Sequence, residues 1–556
     1  MGASSLSPRP APDMILTFFR FVGRHDRLAE SKTLFLPLRQ WVLLLTASMF
    51  LAATGNSLAQ NMPAASAASA PPPLQALDTR SFLQILVAQN LEIKYSRKSL
   101  DVSRRLESAE RGLYEPVLFT TLRREGRERQ RSIDEMQSYA SGKSQLDETA
   151  STTELGIKGK LVTGAELSLS YKSTVKANNL IPQYSFGFLD TEHNGLLSLS
   201  IRQPLLRNAG RSVIETDLRV AELEQQIAVA QLVQQTQKAS IDGLNLYWQL
   251  HKAQQSLHMR QEAFSSSKAL LADAQSRIDA GKMPLNALAE LKGAVLARKA
   301  DLLRSEQALQ EARSKLMTTI NLIWQPQTQI ITQPVAPGDR AQIKEFPADF
   351  DAELNAWSPY VIALLRQQQA EIRLGFAANQ KKPSLDLIVG YSATGLAYTR
   401  DKADQTTLDG HYPDWYVGIN LELPIQKNQR ATQQYLAQVV RTEQAALELQ
   451  AIRNSFSNDL TLRMADLKNA QDAVRLGETD VNLRADIFSN ELQRTKLGSG
   501  SVSALIQRQS EWLEARQRLL ESQIRSEIAA SLLQYTRGTL LAEHGILIED
   551  LNSAQQ

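Results

Sequence analysis

The chain contains no cysteine among its 556 residues. This absence excludes disulfide bonds, thiolate metal sites and a cysteine nucleophile. It also excludes the lipid-modified N-terminal cysteine by which some envelope proteins are anchored in a membrane. If the protein is exported, its attachment to a membrane must therefore depend on its folded structure and not on a lipid anchor.

The chain also lacks an excess of charge beyond its N-terminus. The formal net charge is +3, and residues 1–59 account for all of it, with six basic and three acidic side chains. A neutral remainder has no overall attraction for phosphate backbones, so binding to nucleic acid is not expected.

A secretory signal peptide is predicted for residues 1–59. Basic residues up to Arg39 precede an apolar run at 41–53, and Ser57 and Ala59 place small side chains at a possible cleavage site. The run is shorter than a membrane-spanning helix usually requires. An uncleaved, anchored segment is the alternative. Residues 60–78, rich in Ala, Ser and Pro, are predicted to be a flexible tether.

The sequence contains no convincing catalytic, cofactor or metal motif. Ser265 and Lys268 match a serine–lysine spacing, but they lie within a helical heptad pattern and lack the companion motifs. His251 and His258 are seven residues apart, whereas ligand pairs on a helix are usually three or four apart. We therefore expect no enzymatic activity, no cofactor and no bound metal.

Two stretches, centred on Gly281 and Gly498, repeat the same apolar pattern. Apolar residues precede each glycine by 10, 17, 24 and 31 positions and follow it by 7, 14 and 21 positions. A seven-residue step keeps an apolar seam on one face of a helix, and that seam requires another helix against it. Each stretch is therefore predicted to be a helical hairpin that turns at its glycine.

Proline positions extend this repeat. Pro204 and Pro424, which precede the two long helices, are 220 positions apart, whereas Pro116 and Pro383 are 267 apart. The first half therefore carries 47 more residues than the second. The additional residues include a hairpin-like segment at 153–173, and the sequence does not decide whether this segment joins the strands described next.

Between the helical segments the apolar period changes from seven to two. Alternating rows run through 165–171, 197–201, 385–391 and 415–423. Such alternation fits transmembrane barrel strands and also half-buried strands of a soluble sheet. Two strand pairs cannot close a barrel, which needs about eight or more strands. Several copies that contribute strands to one barrel would solve this problem and leave no open edge in lipid.

The order of helix, strand pair, proline, long helix, glycine turn and returning helix occurs twice. Its clearest pieces are 199–210 (LSIRQPLLRNAG), 278–302, 417–425 and 496–519. In this order and spacing the chain resembles the TolC-type outer-membrane efflux proteins of Gram-negative bacteria. The resemblance implies an α+β fold, mostly α. Internally duplicated long helical hairpins form a periplasmic α-barrel, and amphipathic strands belong to a trimeric transmembrane β-barrel.

The resemblance also implies a function. Proteins of this family are homotrimers in which each copy contributes four strands to a 12-stranded barrel. They are passive exit ducts of tripartite efflux or type I secretion systems, in the cell outer membrane with a periplasmic helical domain. The implied partners are a periplasmic adaptor protein, an inner-membrane transporter and outer-membrane lipid. The alternative is a non-channel coiled-coil protein of the envelope, structural or adhesive.

The resemblance also predicts functions for individual residues. The predicted tip and adaptor-docking positions are Gly281, Leu285, Leu288, Gly498, Val502 and Leu505. Ala504 and Gln507 stand where well-studied members have an acidic pair around the periplasmic aperture, so a carboxylate ring is not expected there. The alternating rows predict a lipid-facing set that includes Leu387, Val389, Val417, Ile419 and Leu421.

The predicted organisation has six segments. They are the signal peptide (1–59), the tether (60–78), the first repeat (79–324), an equatorial segment (325–357), the second repeat (358–540) and a C-terminal tail (541–556).

Overall fold

The computed structural model describes residues 77–138, 144–179, 191–281, 285–322, 330–333, 350–426 and 428–546. All of them belong to one unit of the chain, Pro73–Gln556. The predicted signal peptide, nearly all of the tether and most of the equatorial segment lie outside the described residues.

The described part of the chain is mostly helical. In chain order the helices are α1 (Thr79–Gln89), α2 (Leu91–Arg111), α3 (Ile133–Ser138), α4 (Arg211–Ile214), α5 (Thr216–Asp279), α6 (Asn286–Thr319), α7 (Phe350–Ala356), α8 (Ser358–Gln380), α9 (Arg400–Leu408), α10 (Gln429–Lys496), α11 (Val502–Arg537) and α12 (Leu540–Glu543). The strands are β1 (Val117–Gln130), β2 (Gln145–Lys160), β3 (Glu166–Asn178), β4 (Thr191–Pro204), β5 (Ser384–Ala397) and β6 (Tyr412–Glu422).

Helices α5 and α10 dominate the fold. They contain 64 and 68 residues, which at 1.5 Å per residue gives lengths of roughly 96 and 102 Å. Neither contains proline, and their apolar heptad positions, such as Leu250 and Leu467, are buried. Helix α5 is separated from the short helix α4 only by Glu215, where ψ is 14°. Among the described residues, no helix is long and apolar enough to cross a bilayer.

Shorter helices extend the returning helices end to end in both repeats. Asn90 caps α2 by accepting hydrogen bonds from the amides of Glu92 (2.9 Å) and Ile93 (3.1 Å). Its side-chain amide also donates to the carbonyl of Thr319 (3.0 Å), the last residue of α6. In the second repeat, Arg537 at the end of α11 lies 3.7 Å from Glu353 of α7, just before α8.

The helices nearest the sheet form a layer in the order α2, α5, α8, α10. Three polar contacts mark the successive neighbours. Gln235 of α5 donates to Glu92 of α2 (2.8 Å), Gln369 of α8 donates to the carbonyl of Val220 of α5 (3.1 Å), and Gln438 of α10 donates to the carbonyl of Ala370 of α8 (3.4 Å). Helices α2 and α10 are therefore the two outer helices of this layer.

Within the described residues, six strands form one antiparallel sheet in the order β1-β2-β3-β4-β5-β6. The described residues therefore form two more strands than the four per copy that are usual in the family it resembles. The 153–173 segment joins the sheet as parts of β2 and β3, so the 47 additional residues of the first half supply a full hairpin. The sequence reading also missed β1, because its second half, from Arg123 onward, is almost continuously charged and hides the alternation.

A small belt formed by Leu77 and Thr332 packs against α5, near the middle of that helix. Leu77 pairs in parallel with Thr332, which belongs to the predicted equatorial segment. The hydroxyl of Tyr247 on α5 donates to the carbonyl of Leu77 (2.7 Å) and accepts from the amide of Gln333 (3.0 Å). The Tyr247 ring is fully buried against Phe82 of α1. The buried hydroxyl of Tyr247 thus has both an acceptor and a donor partner, as buried polar groups in native structures usually do.

Candidate functional site: the sheet face and the hairpin tips

One face of the sheet carries a continuous apolar row across all six strands. Its members are directly paired from strand to strand and are Leu118, Ile157, Leu169, Leu199, Tyr391 and Trp415. Their exposed fractions lie between 38% and 71%. A row of large apolar side chains this exposed on both edge and central strands requires a nonaqueous surrounding or a partner.

The predicted lipid-facing residues lie on this same face. Leu387 is paired with Ile419 and Val389 with Val417, while Leu421 is paired with Leu385. On the edge strand β6 the exposed fractions are 61% for Val417, 70% for Ile419 and 53% for Leu421. Their contact with lipid remains a prediction.

The opposite face of the sheet is polar and hydrogen-bonded. Arg202 of β4 forms an ion pair with Asp386 of β5 (2.6 Å), and the Asp386 side chain is 4% exposed. The hydroxyls of Ser170 and Ser198 lie 3.1 Å apart on neighbouring strands. A sheet with one apolar and one polar face can separate lipid from water.

The turn between β2 and β3 lies at the helical end of the sheet. The carbonyl of Thr163 in this turn accepts from the amide of Gly210 (3.2 Å), just before α4, and the Thr163 hydroxyl donates to Gln203 of β4 (2.8 Å). The added hairpin therefore extends from the end of the sheet next to the helices to the opposite end, as the other strands do.

The outer helices α2 and α10 carry matching exposed apolar seams. On α2 the seam is Tyr95, Val102 and Leu106, with exposed fractions of 76%, 58% and 60%. On α10 it is Leu436, Val440 and Leu447, with 47%, 51% and 66%. Starting from the sheet end, the spacing is four and then seven residues on both helices. The sequence reading missed these seams, although spacing of this kind is the usual sign of helix pairing.

The two predicted tip glycines lie in the turns of the two hairpins. Gly281 follows α5 with φ 70°, and Gly498 follows α10 with φ 80°. A side chain with a β-carbon is strained in this left-handed region, so glycine is favoured. After Gly498 the amide of Ser499 returns to the carbonyl of Arg494 (3.0 Å) and closes the end of α10.

The predicted docking residues differ in accessibility. Leu285 is 75% exposed, whereas Leu505 is 2% exposed and packs inside the protomer near Leu291. Leu288 and Val502 are half-buried. Because the chain itself covers Leu505, this residue cannot offer a free docking contact without rearrangement. Leu497, which the sequence reading missed, is 85% exposed beside the second tip.

The two tips are joined by one arginine. The guanidinium of Arg277, near the end of α5, donates to the carbonyl of Lys496, the last residue of α10 (2.9 Å). The same guanidinium pairs with Asp273 one turn earlier (2.9 Å). Arg277 therefore connects the first hairpin to the second near their tips.

The predicted aperture positions are neutral, and the nearest carboxylate is paired. Ala504 is half-buried and Gln507 is exposed. Gln507 donates a hydrogen bond to the carboxylate of Glu511 (3.1 Å). The same carboxylate forms ion pairs with Arg508 (2.9 Å) and Arg484 (3.5 Å). The hydrogen bond from Arg508 is the largest factor that lowers the pKa of Glu511. Its charge is therefore compensated within the protomer.

The residues considered for catalysis or metal binding do not come together. His251 is buried and its Nδ1 lies 2.9 Å from the hydroxyl of Thr332. His258 is exposed and lies 3.1 Å from Glu262. The hydroxyl of Ser265 donates to the carbonyl of Glu262 (2.9 Å), which is a common helical contact and gives it no base.

The fold is that of the TolC-type outer-membrane efflux proteins. No protein-family model matches the sequence, and no curated protein is similar to it in sequence. Solved structures of outer-membrane channels do match. The CmeC channel of Campylobacter jejuni matches with a TM-score of 0.57 and 12% identity, over 83% of this chain and 86% of that one.

Two further channels match to a similar degree. The MtrE channel of Neisseria gonorrhoeae, in its open state, has a TM-score of 0.58 and 14% identity, over 83% of this chain and 89% of that one. The outer-membrane protein VceC of Vibrio cholerae has a TM-score of 0.56 and 13% identity, over 83% and 96%. The fold class expected from the sequence, duplicated helical hairpins joined to amphipathic strands, is confirmed.

Proposed function

We propose that this protein is the outer-membrane exit duct of a tripartite efflux or type I secretion system. Three copies close a transmembrane β-barrel from their sheets and a periplasmic tube from their helices. Substrate delivered by an inner-membrane transporter and a periplasmic adaptor passes through this duct without chemical change. The protein resides in the outer membrane, and its function is transport rather than catalysis.

The observation that carries this proposal is that the protomer is an incomplete slice of a tube. Its two outer helices, α2 and α10, expose apolar seams with the same spacing, and its sheet exposes a continuous apolar row. Apolar helix seams are stable only when another helix covers them. When copies are arranged around an axis, α2 of one copy faces α10 of the next, and both seams are buried.

The tips supply the surface for the adaptor. Leu285 and Leu497, one on each hairpin, are the most exposed large apolar side chains near the described tip turns, at 75% and 85%. Side chains of this kind at the end of a long duct suit contact with the apolar seam of a second helical protein. We assign adaptor docking to this end, with Leu285 and Leu497 as its principal contacts.

A cysteine pair tests the proposal, and the cysteine-free chain offers a clean background. The variant Val102→Cys, Val440→Cys is oxidised in intact Gram-negative cells, and the outer-membrane fraction is separated without reductant. We expect a ladder that ends at a covalent trimer. The matched control pairs Val102→Cys with Gln438→Cys, which is only 7% exposed against α8 of its own protomer, and should not crosslink. Monomers in the soluble periplasmic fraction would favour the non-channel envelope protein instead.

A further inference from the structure

The two free edges of the sheet lie at the two sides of the helical layer. Within the described residues, β1 and β6 each have a neighbouring strand on one side only. Strand β1 follows α2 after Pro116, and β6 leads into α10. The same helices carry the exposed seams, so both the strand edges and the helix seams of one copy point toward its neighbours.

The added hairpin is long enough to cross a bilayer, and it continues the apolar row at the helical end of the sheet. Strands β2 and β3 contain 16 and 13 residues, more than the roughly 9–11 residues with which a tilted strand crosses a bilayer. Ile157 and Leu169 continue the apolar row, with exposed fractions of 50% and 47%. Their turn is fixed at the helical end by Thr163.

The width of the sheet fits the width of the helical layer. Six strands about 4.8 Å apart and tilted by about 35–45° span roughly 35–41 Å. Four helices packed about 8–10 Å apart span roughly 32–40 Å. Four strands at the same tilt would span only roughly 23–27 Å. By these typical spacings, a six-stranded sheet is about as wide as a layer of four helices.

We propose that β6 of one copy pairs with β1 of the next copy, so that three copies close an 18-stranded barrel. This inference rests on the trimeric duct proposed above. The described part of each copy contains an even number of strands, so β6 runs antiparallel to β1 and the antiparallel order continues around the ring. The partner of both edges is a second copy of this chain, and no strand edge is left in lipid.

The proposal changes the expected width of the exit. Barrel diameter grows roughly linearly with strand number, so 18 strands give a pore about 1.5 times as wide as 12 strands. The outer end of the duct is then not its narrowest part. Selection of cargo by size falls to the tips, where Arg277 and its partners hold the helices together.

A cysteine series tests the new edge pairing. Val417→Cys on the apolar face of β6 is combined, one at a time, with Leu118→Cys, Thr120→Cys, Leu122→Cys or Arg124→Cys on the same face of β1. A series is required because closing a barrel staggers the strands across the junction. The control series places cysteines at Leu167 and Leu169 on β3, which lie on the same face and are not covered by another element of the chain.

We expect one or two neighbouring β1 positions to give covalent trimers with Val417→Cys, and no β3 position to do so. Trimers from the β3 series would overturn the proposal, because they indicate a 12-stranded barrel with β1 and β2 outside it. Absence of links in both series, while Val102→Cys and Val440→Cys still link, would also overturn it and leave the trimeric duct intact. Loss of the Val102–Val440 link as well would instead reject the proposed function.

Discussion

The guanidinium of Arg277 donates to the main-chain carbonyl of Lys496 across a distance of 2.9 Å, and this bond joins the tips of the two hairpins. We predict that Arg277→Ala loosens the contact between the two hairpin tips and increases the open probability of the purified protein in planar bilayers. A hydrogen bond from a charged donor typically contributes about 1.5–3 kcal/mol, and at an exposed site we expect the low end. Open probability should then rise by roughly tenfold.

Lys496→Ala is the matched control for that prediction. It removes one positive charge from the same turn but retains the carbonyl that accepts the hydrogen bond. We expect its conductance to remain close to that of the unmodified protein. If both variants open the channel equally, the effect arises from charge and not from the bond between the tips.

The neutral side chains at the predicted aperture positions should give only weak block by multivalent cations. Ala504 and Gln507 offer no charge, and Glu511 is compensated by Arg508 and Arg484. A ring of carboxylates from three copies would concentrate cations in a narrow pore. Ala504→Asp combined with Gln507→Asp should therefore create block by a trivalent cation in bilayer recordings. Strong block of the unmodified protein would show that carboxylates elsewhere, such as Asp486 or Glu491, control the pore.

Stability of the helical domain should decrease below about pH 6.5 through His251. Burial lowers the pKa of His251 from its ordinary value of 6.5, so the unfolded chain binds the proton more readily than the folded chain. Stability is therefore complete above 6.5 and falls as pH decreases toward the lower, folded-state pKa, with a slope of at most about 1.4 kcal/mol per pH unit for one proton.

Thermal unfolding of the detergent-extracted protein at pH 7.5 and 5.5 measures this loss. His251→Gln should show a smaller decrease in melting temperature than the unmodified protein. Burial also lowers the pKa of His544, so the unmodified protein alone cannot show which histidine causes the loss of stability. The difference between the unmodified protein and His251→Gln measures the contribution of His251. Equal decreases would exclude a contribution from His251.

The two faces of β6 should respond differently to charge. Ile419→Arg places a guanidinium on the apolar face and should cost about 2–4 kcal/mol of stability near the bilayer midplane. Asn420→Arg, one residue away on the polar face beside Asp386, should cost much less. Unfolding in lipid vesicles or micelles by urea compares the two. Similar costs on both faces would indicate that the sheet is not in a bilayer.

The sequence reading predicted the helical part of the fold well. Seven-residue spacing around Gly281 and Gly498 predicts the two hairpins because an apolar seam over several turns has few alternatives to helix pairing. Strands β3 to β6 were recognisable for a similar reason, since alternation over several residues indicates two faces. Proline spacing gave the size of the insertion but not its place in the sheet.

The parts that the sequence reading missed have physical causes. Strand β1 continues through Arg123 and Arg124, where main-chain pairing with β2 and not the side-chain pattern determines the structure. The burial of Leu505 depends on a helix of the other hairpin, α6, which contributes Leu291. The bond from Arg277 to the Lys496 carbonyl joins residues 219 positions apart and involves a main-chain acceptor that no sequence motif marks.

The most direct test of the duct is a single-particle reconstruction of the protein extracted in detergent from outer membranes. The account predicts a particle of three copies with threefold symmetry, in which α2 of each copy packs on α10 of the next. One lumen should run from the closed sheet to the hairpin tips. A monomer or dimer with an open sheet and exposed seams at Val102 and Val440 would contradict the account.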